Sequence, residues 1–200
     1  HVPVKEFTAD TASVKQRIQE GRRICAIQFT NGNTFAVGTV CDVAGKEIAV
    51  KFWSGGKEYT HRCNQIRKKI EKARKSLGEE KQPGENRKYW MRLKHLSEYY
   101  AHEVSAQIIK FCLKNQVSMI ILPKYKKEYT DYVMIGSGNW STLHLSTGIR
   151  SNLTYKAWKN GILVIETYAK GISETCASCG ASIVSVNRKA DEYICRNGHR

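Results

Sequence analysis

The sequence predicts an α/β protein in which a mixed β-sheet is flanked by helices and followed by a small C-terminal hairpin. Three observations predict this class. Short apolar segments with strand character occur first as a group of three and later singly, each after a helical segment. A long middle stretch repeats its apolar residues every three or four positions, which is the period of a helix. The end of the chain holds three cysteines and one histidine at close spacing.

The first group of strands lies in residues 22–56, whereas residues 1–20 show no clear pattern. Ile24, Ala26 and the run 35–40 are strand-like, and a third apolar strand follows. The segments "NGN" and "AGKE" between them have the composition of turns. We therefore predict an antiparallel meander of three strands.

Two helices are predicted after the meander. Residues 61–79 form a basic segment with a thin apolar stripe, and "EEKQPGEN" separates it from the next helix. From Arg87 the helical pattern continues over a long stretch. Its apolar residues share one face, which predicts that they lie in the core. They are Trp90, Leu93, Leu96, Tyr100, Val104, Ile108 and Phe111.

A second kind of strand follows the long helix. The run "VSMIIL" is short, apolar and rich in β-branched residues, as expected of a strand buried on both faces and entered from a crossover helix. A polar, Gly-rich loop at 124–139 leads to a helix at 146–160, which Gly161 ends, and "ILVIET" is another strand. Three antiparallel strands followed by helix-linked parallel strands match the RNase H-like arrangement.

The charge of the chain indicates its class of partner. Lys and Arg number 33 against 18 acidic residues, a formal net charge of +15, and 41% of residues are hydrophobic. Such an excess of positive charge repels itself and is usually offset by a polyanion, so nucleic acid is the first partner to consider. A solvated basic surface, for example on a ribosome-associated protein, is the alternative. No segment has the length of a membrane span or the pattern of a signal peptide, so we expect an intracellular protein without membrane partners.

Four of the seven cysteines have no obvious function. Cys25, Cys41 and Cys112 lie in apolar segments where reduced thiols fill space, and Cys63 has no evident partner. A secreted disulfide scaffold is disfavoured, because such scaffolds are smaller and richer in cysteine.

The other three cysteines predict a metal site. Cys176 and Cys179 form a Cys-x2-Cys pair, and Cys195 with His199 forms the second half of a zinc signature. Four such ligands leave no coordination position for a substrate or water, so the predicted zinc is structural and stabilises a hairpin too small to fold alone. Free thiols with a surface histidine are the alternative interpretation.

Longer segments resemble a known family. "YKAWKNGILVIETYAKGISETCASCG" and "YICRNGH" resemble the late part of the RuvC-like domain of TnpB transposon nucleases and type V CRISPR effectors, including its zinc-bearing target-nucleic-acid-binding insertion. "ICAIQFTNGNTFAVGTV" and "YYAHEVSAQIIKFCLKNQVSMIILPK" resemble the segments around the first two catalytic strands. The resemblance covers residues 22–200. We divide the chain into an N-terminal segment at 1–20, interpreted as the end of a wedge domain, a RuvC-like domain at 21–171, and a zinc ribbon at 172–200.

The resemblance also predicts that the nuclease is inactive. In the family, three carboxylates hold two metal ions that cut DNA. Here Gln28 takes the first position and Leu122 the second, while the third would follow a few residues after His199 and the printed sequence stops at Arg200. Two Mg²⁺ ions about 4 Å apart need anionic oxygens to offset their repulsion, which neither an amide nor a leucine provides. We therefore expect no enzyme activity and no catalytic residues.

Two further features bear on this expectation. Other carboxylates that might replace the missing ones are Asp42, Glu128, Asp131 and Glu166, although a two-metal site needs several to converge. The "IILPK" segment resembles the inactivated effectors of type V-K CRISPR-associated transposons, which lack such a zinc hairpin. Nuclease-dead TnpB-like repressors are a second comparable group. The N-terminal recognition portion of both groups has no counterpart here, so we expect a piece of a larger effector or one of several chains.

The resemblance implies guide RNA and target DNA as partners, together with other protein chains or the remaining N-terminal part, in the prokaryotic cytoplasm at the nucleoid. Base pairing would read the sequence while the protein contacts phosphates. Candidate nucleic-acid-binding residues are Arg67, Lys68, Lys69, Lys72, Arg87, Lys88, Lys124, Lys126, Lys127 and Trp140. Trp140 is a candidate for stacking on bases, with packing against nearby tyrosines as the alternative. Two other functions remain open: an active Mg²⁺-dependent RNA-guided endonuclease, and a stand-alone zinc-ribbon protein that binds nucleic acid without a guide.

Overall fold

The computed structural model describes residues 10–76, 86–125, 141–168, 174–176, 178–187 and 192–199. They form four helices and seven strands, and the elements after the first helix follow the predicted order. The elements are α1 (Val14–Gln19), β1 (Arg23–Phe29), β2 (Thr34–Cys41), β3 (Glu47–Ser54), α2 (Gly56–Ser76), α3 (Arg87–Lys114), β4 (Val117–Lys124), α4 (Thr142–Lys159), β5 (Leu163–Tyr168), β6 (Ile183–Asn187) and β7 (Glu192–Cys195).

Five strands form the mixed sheet that the sequence predicts. Their order is β3-β2-β1-β4-β5, and β6 and β7 form a separate two-stranded sheet. β1, β2 and β3 pair antiparallel, whereas β1, β4 and β5 pair parallel. The meander and the helix-linked parallel strands are therefore joined between β1 and β4, which confirms the predicted RNase H-like arrangement.

Helices α2, α3 and α4 pack on one face of the sheet, which we call the helix face. Cys25, Ile27 and Phe29 alternate along β1 and point to this face, where they join the hydrophobic core. Leu93 and Ile149, both 0% exposed, bring α3 and α4 into the same core. Because strand side chains alternate, Ala26 and Gln28 point to the other side, which we call the opposite face.

Two helices begin earlier than predicted. α2 starts at Gly56 rather than at residue 61, because the backbone N–H groups of Gly55 and Gly56 both donate to Asn33 O and turn the chain directly into the helix. α4 starts at Thr142 rather than at 146, because the Ser141 hydroxyl accepts a hydrogen bond from the backbone N–H of residue 144 and caps the helix. Most of the predicted break at 79–86 and most of the predicted loop at 124–139 lie outside the described residues.

The predicted stripe of α3 is buried or half-buried except at its first residue. Trp90 is 42% exposed, whereas Leu93 and Ile108 are fully buried. The periodicity is right, but the first turn of the helix extends beyond the core. The sequence therefore overestimates how much of the helix the sheet covers.

The N-terminal segment, for which the sequence shows no pattern, contains α1 and a buried arginine. Arg17 is 1% exposed, and its guanidinium donates to Ala12 O at 2.9 Å, Asp10 O at 2.8 Å and Ser118 O at 2.7 Å. Its Nη2 also lies 3.2 Å from the Asp10 carboxylate. A side chain from α1 thus fixes the N-terminal segment to the start of β4.

The cysteines outside the hairpin are free thiols, as expected. Cys25, Cys63 and Cys112 are buried and Cys41 is half-buried. A hydrogen bond with Cys112 and burial raise the pKa of Cys25, which keeps its thiol protonated. Within the described part of the chain, no helix has the length and apolar character required to cross a bilayer.

Candidate metal centre and the end of the parallel strands

The four predicted zinc ligands converge in the structure. Single donor atoms of Cys176, Cys179, Cys195 and His199 all lie within 4.8 Å of one another. No other group of three or more His, Cys, Asp or Glu side chains within the described ranges could hold a metal ion. The predicted cluster is confirmed as a candidate metal centre.

Two tight turns and the β6–β7 hairpin position these ligands. The N–H of Gly180 donates to Cys176 O at 2.8 Å, and the N–H of Gly198 donates to Cys195 O at 2.9 Å. Both glycines have positive φ, 70° and 81°, which other residues rarely adopt. The N–H of Cys195 donates to the carbonyl of His199 at 3.0 Å, so the second turn is closed on itself.

Three of the donor distances are close to those expected around a tetrahedral ion. With Zn–S near 2.3 Å and Zn–N near 2.0 Å, a tetrahedron places two sulfurs about 3.8 Å apart and a sulfur and nitrogen about 3.5 Å apart. Cys179 Sγ lies 3.7 Å from Cys195 Sγ, and His199 Nδ1 lies 3.6 Å from Cys195 Sγ and 3.8 Å from Cys176 Sγ. These separations are too long for a disulfide and are compatible with zinc.

Backbone N–H groups stabilise the thiolate form of Cys176. Hydrogen bonds from Ser178 and Cys179 lower its pKa to about 6. At Cys179, the hydrogen bond from Ala181 lowers the pKa, but burial and the neighbouring sulfurs raise it by more, so the net shift is upward. The Asn197 amide also donates to Cys179 Sγ at 3.5 Å. Metal binding requires thiolates, and the positive charge of a bound cation would offset the repulsion between them.

The first position assigned to a catalytic carboxylate is held by Gln28 near the end of β1. Its side chain points to the opposite face, and its amide Nε2 donates to the Tyr125 hydroxyl at 2.8 Å. Tyr125 directly follows β4. The end of β1 and the end of β4 are therefore linked by two uncharged side chains.

The register between β1 and β4 indicates which residue of β4 lies level with Gln28. Ala26 is level with Ile121 in this parallel pair, so extending the register by two residues places Gln28 level with Pro123. Leu122 is 0% exposed in the core and points to the helix face, away from Gln28. The sequence motif thus differs from the strand register by one residue. Neither Leu122 nor Pro123 carries a carboxylate.

The alternative carboxylates do not converge on Gln28 within the described residues. Asp42 follows β2 next to Cys41, which pairs with Ile24 at the other end of β1. Glu166 accepts a hydrogen bond from Arg150 at 2.8 Å, as expected of a carboxylate facing a basic neighbour. The other two, Glu128 and Asp131, lie outside the described residues.

The predicted nucleic-acid-binding residues that are described are all exposed. On α2, Lys68 and Lys72 lie opposite the buried residues Tyr59, Cys63 and Ile70, whereas Arg67 and Lys69 flank the buried face. Lys124 lies at the end of β4, with its ammonium 5.3 Å from the Tyr168 ring centroid. The exposed residues are Arg67, Lys68, Lys69, Lys72, Arg87, Lys88 and Lys124. Lys126, Lys127 and Trp140 lie outside the described residues, and binding by any of the ten remains a prediction.

Sequence reasoning missed Arg150 at this end of the sheet. Besides Glu166, its guanidinium donates to Pro123 O at 2.7 Å and lies 5.4 Å from the Phe29 ring centroid. It therefore joins α4 to β1, β4 and β5 close to the level of Gln28. An arginine in the middle of a helix has no local signature, so no sequence signal could have identified it.

No protein-family model matches the chain, and no curated protein matches it. Two cryo-EM structures share its fold. A Cas12f1–sgRNA–target DNA complex matches with a TM-score of 0.54 and 12% identity over 87% of this chain and 46% of that chain. A CRISPR-Cas12f ternary complex matches with a TM-score of 0.55 and 14% identity over 98% of this chain and 38% of that chain.

The chain thus spans less than half the length of either Cas12f chain. At this level of identity the similarity concerns the fold and not the chemistry of individual residues. The protein has the fold found in these type V CRISPR effectors.

Proposed function

We propose that this chain is the nuclease-inactive RuvC-like part of an RNA-guided DNA-binding effector of the type V CRISPR or TnpB-like kind. It binds guide RNA and target DNA without cutting, and it recruits partners or blocks transcription. The observation that carries the proposal is the pairing of Gln28 with Tyr125 at the end of β1 and β4, in a fold shared with Cas12f structures. The uncharged residues level with each other there, Gln28 and Pro123, offer no anionic oxygen to a divalent cation.

The inactivity follows from electrostatics. Two divalent ions held a few ångströms apart repel each other strongly, and carboxylates normally offset that repulsion while fixing the in-line geometry of phosphodiester hydrolysis. A glutamine amide adds no charge, and here its NH₂ group is engaged by a tyrosine hydroxyl. Glu166 of the neighbouring strand is already paired with Arg150 at 2.8 Å, so its carboxylate is not free for a cation.

Zinc has a structural role in this proposal. Cys176, Cys179, Cys195 and His199 would hold it, and the ion would supply the stability that the hairpin lacks. Val184, Val186 and Tyr193 of the hairpin are each at least 48% exposed, so β6 and β7 bury little apolar surface of their own. Four protein ligands leave no position at which water could be activated.

Nucleic-acid binding is assigned to the exposed basic side of α2. Each phosphate contact that a lysine or arginine makes adds about one unit to the dependence of log binding constant on log salt. Replacing Arg67, Lys68, Lys69 and Lys72 with glutamine should therefore reduce that slope by up to about four units if all four contact phosphates. The matched control is the pair Lys110→Gln and Lys114→Gln on α3, which should leave the slope unchanged.

The experiment that tests the function is isolation of the protein with its bound RNA, followed by DNA binding and cleavage in one sample. A discrete RNA species, target DNA that is shifted on a native gel, and the same DNA intact on a denaturing gel are the expected results. A broad smear of RNA would instead favour the stand-alone zinc-ribbon protein. Magnesium-dependent cleavage of the shifted DNA would establish the active endonuclease.

The remaining parts of the proposal concern its setting. The Cas12f chains extend well beyond the region this chain matches, so we infer that the effector is completed by further sequence or by other chains. Because the chain resembles inactivated type V-K transposon effectors and nuclease-dead TnpB-like repressors, we propose that it acts in the prokaryotic cytoplasm at the nucleoid. Affinity purification under native conditions would identify the recruited chain.

A further inference from the structure

A groove lies at the edge of the sheet, between β3 and the last turn of α3. Its volume is about 400 Å³. It is separate from the metal centre and from the strand ends near Gln28. The lining residues are Ala49, Val50, Lys51, Lys110, Phe111, Lys114 and Asn115.

The groove has an apolar base held by aromatic packing. The half-buried ring of Phe111 contacts Trp53 edge to face, with centroids 5.6 Å apart and an interplanar angle of 84°. Trp53 is 2% exposed and lies over Gly38, where a Cβ would come within 2.6 Å of the indole. Because both rings are fixed by packing, the base of the groove is rigid.

The rim of the groove is positively charged. Lys110 and Lys114 are exposed and stand one turn apart on α3, and Lys51 faces them from β3 with its ammonium 5.8 Å from the Trp53 ring centroid. None of the seven lining residues is acidic. Charge complementarity therefore selects an occupant that carries negative charge.

The backbone of β3 selects an extended peptide. β3 is the last strand in the order β3-β2-β1-β4-β5, and it pairs antiparallel with β2 on one side. In an antiparallel edge strand, alternate residues direct their N–H and C=O groups away from the sheet, where an added strand can pair with them. A peptide can continue this ladder and place apolar side chains over Phe111 and Ala49. A phosphodiester backbone has neither the alternating donors nor the apolar side groups.

We propose that this groove docks an extended acidic segment of a partner protein, which adds to the sheet beside β3 and directs its carboxylates to Lys51, Lys110 and Lys114. The apolar side chains of the segment cover the base of the groove. This surface does not depend on the guide-RNA proposal, because it requires no nucleic acid and shares none of the basic residues of α2 assigned to phosphates.

The test uses the full zinc-loaded chain and a fluorescein-labelled eight-residue peptide, Val-Thr-Glu-Thr-Val-Thr-Glu-Thr, whose valines and glutamates share one face of a strand. Binding is followed by fluorescence anisotropy at physiological salt. The peptide should bind saturably, and a version with lysine in place of glutamate should not. Lys110→Glu with Lys114→Glu should weaken binding about tenfold, which corresponds to about 1.4 kcal/mol for two lost ion pairs. The matched control, Lys68→Glu with Lys72→Glu on α2, should change it less than about twofold because exposed charges are screened within about 8 Å.

The backbone pairing is tested without changing the protein. Successive residues of a strand point their N–H groups to opposite sides, so methylating the nitrogens of all valines and glutamates, or of all threonines, blocks only one side. Exactly one of these two peptides should lose binding about tenfold or more if the segment pairs with β3. The proposal would be overturned if both methylated peptides lost binding equally. It would also be overturned if the α3 and α2 lysine variants weakened peptide binding equally. Absence of saturable binding would overturn it too, as would a single-stranded oligothymidine probe that loses binding with the α3 pair and not with the α2 pair.

Discussion

The burial and hydrogen bonds of Arg17 in α1 predict how much stability is lost when its guanidinium is removed. Arg17 is 1% exposed, and its guanidinium donates to the carbonyls of Ala12, Asp10 and Ser118 at 2.7 to 2.9 Å. A weaker contact of 3.3 Å reaches Gly161 O. Removing one partner of such a buried charged network typically costs about 3–5 kcal/mol, because the acceptors that remain lose their hydrogen bonds. We therefore expect Arg17→Met to lower the free energy of unfolding by about 3–5 kcal/mol.

Two further variants isolate the cause. Arg17→Lys keeps the charge but cannot reach carbonyls in several directions at once, so it should cost less than the methionine variant and still more than about 1 kcal/mol. Lys15→Met changes an exposed residue of the same helix and should stay within about 0.5 kcal/mol of the parent. Urea unfolding of the three zinc-loaded variants, with equal slopes, measures these differences. An Arg17→Met cost below about 1 kcal/mol would show that the guanidinium does not hold the N-terminal segment to β4.

Three other predictions follow from single sites. Cys176→Ser should reduce the zinc content from one ion per chain towards zero and raise hydrogen exchange in the hairpin. The control, Cys41→Ser, should leave the zinc content unchanged. Zinc retained by the Cys176→Ser variant would exclude the four-ligand site. Gly38→Ala should destabilise the protein by about 1–3 kcal/mol, because its Cβ would lie 2.6 Å from the Trp53 ring, and an unchanged melting temperature would contradict that packing. A hydrogen bond from the backbone N–H of Ala12, followed in size by one from Arg22, holds the pKa of Asp10 below its ordinary 3.8. The stability that the Asp10 carboxylate contributes is therefore present above pH 3.8 and lost as the pH falls through the lowered pKa. Asp10→Asn should flatten the dependence of stability on pH below about pH 4, and an unchanged dependence would contradict this assignment.

The parts of the fold that the sequence predicts are those with local signals. The stripe of α3 has the helical period over many residues, and the strands of the meander are separated by turn residues, so both were evident. The start of α2 was missed because Gly55 and Gly56 indicate a turn, whereas here they make the turn and enter the helix directly. The Ser141 cap was a usable signal for the start of α4 that the apolar pattern alone did not provide.

The metal centre and the strand ends show the same limit at the level of the site. The zinc ligands were predictable because their spacing along the chain already implies two turns that converge. The residue of β4 level with Gln28 was not predictable. A sequence motif identifies the strand, but the face to which a residue of that strand points depends on the register between β1 and β4. A register shift of one residue moves a side chain to the other face. Arg17 contacts Ser118, which is 101 residues away in the sequence, and no periodic pattern of residues indicates such a contact.

The measurement that tests the account most directly is anomalous diffraction from a crystal of this protein soaked in manganese. Manganese occupies two-metal nuclease sites and scatters strongly enough to be located. We predict no pair of manganese ions at the end of β1 and β4, where Gln28 bonds to Tyr125 and Pro123 occupies the neighbouring strand. Two manganese peaks about 4 Å apart beside Gln28 would contradict the account, because they would show that other carboxylates complete the site.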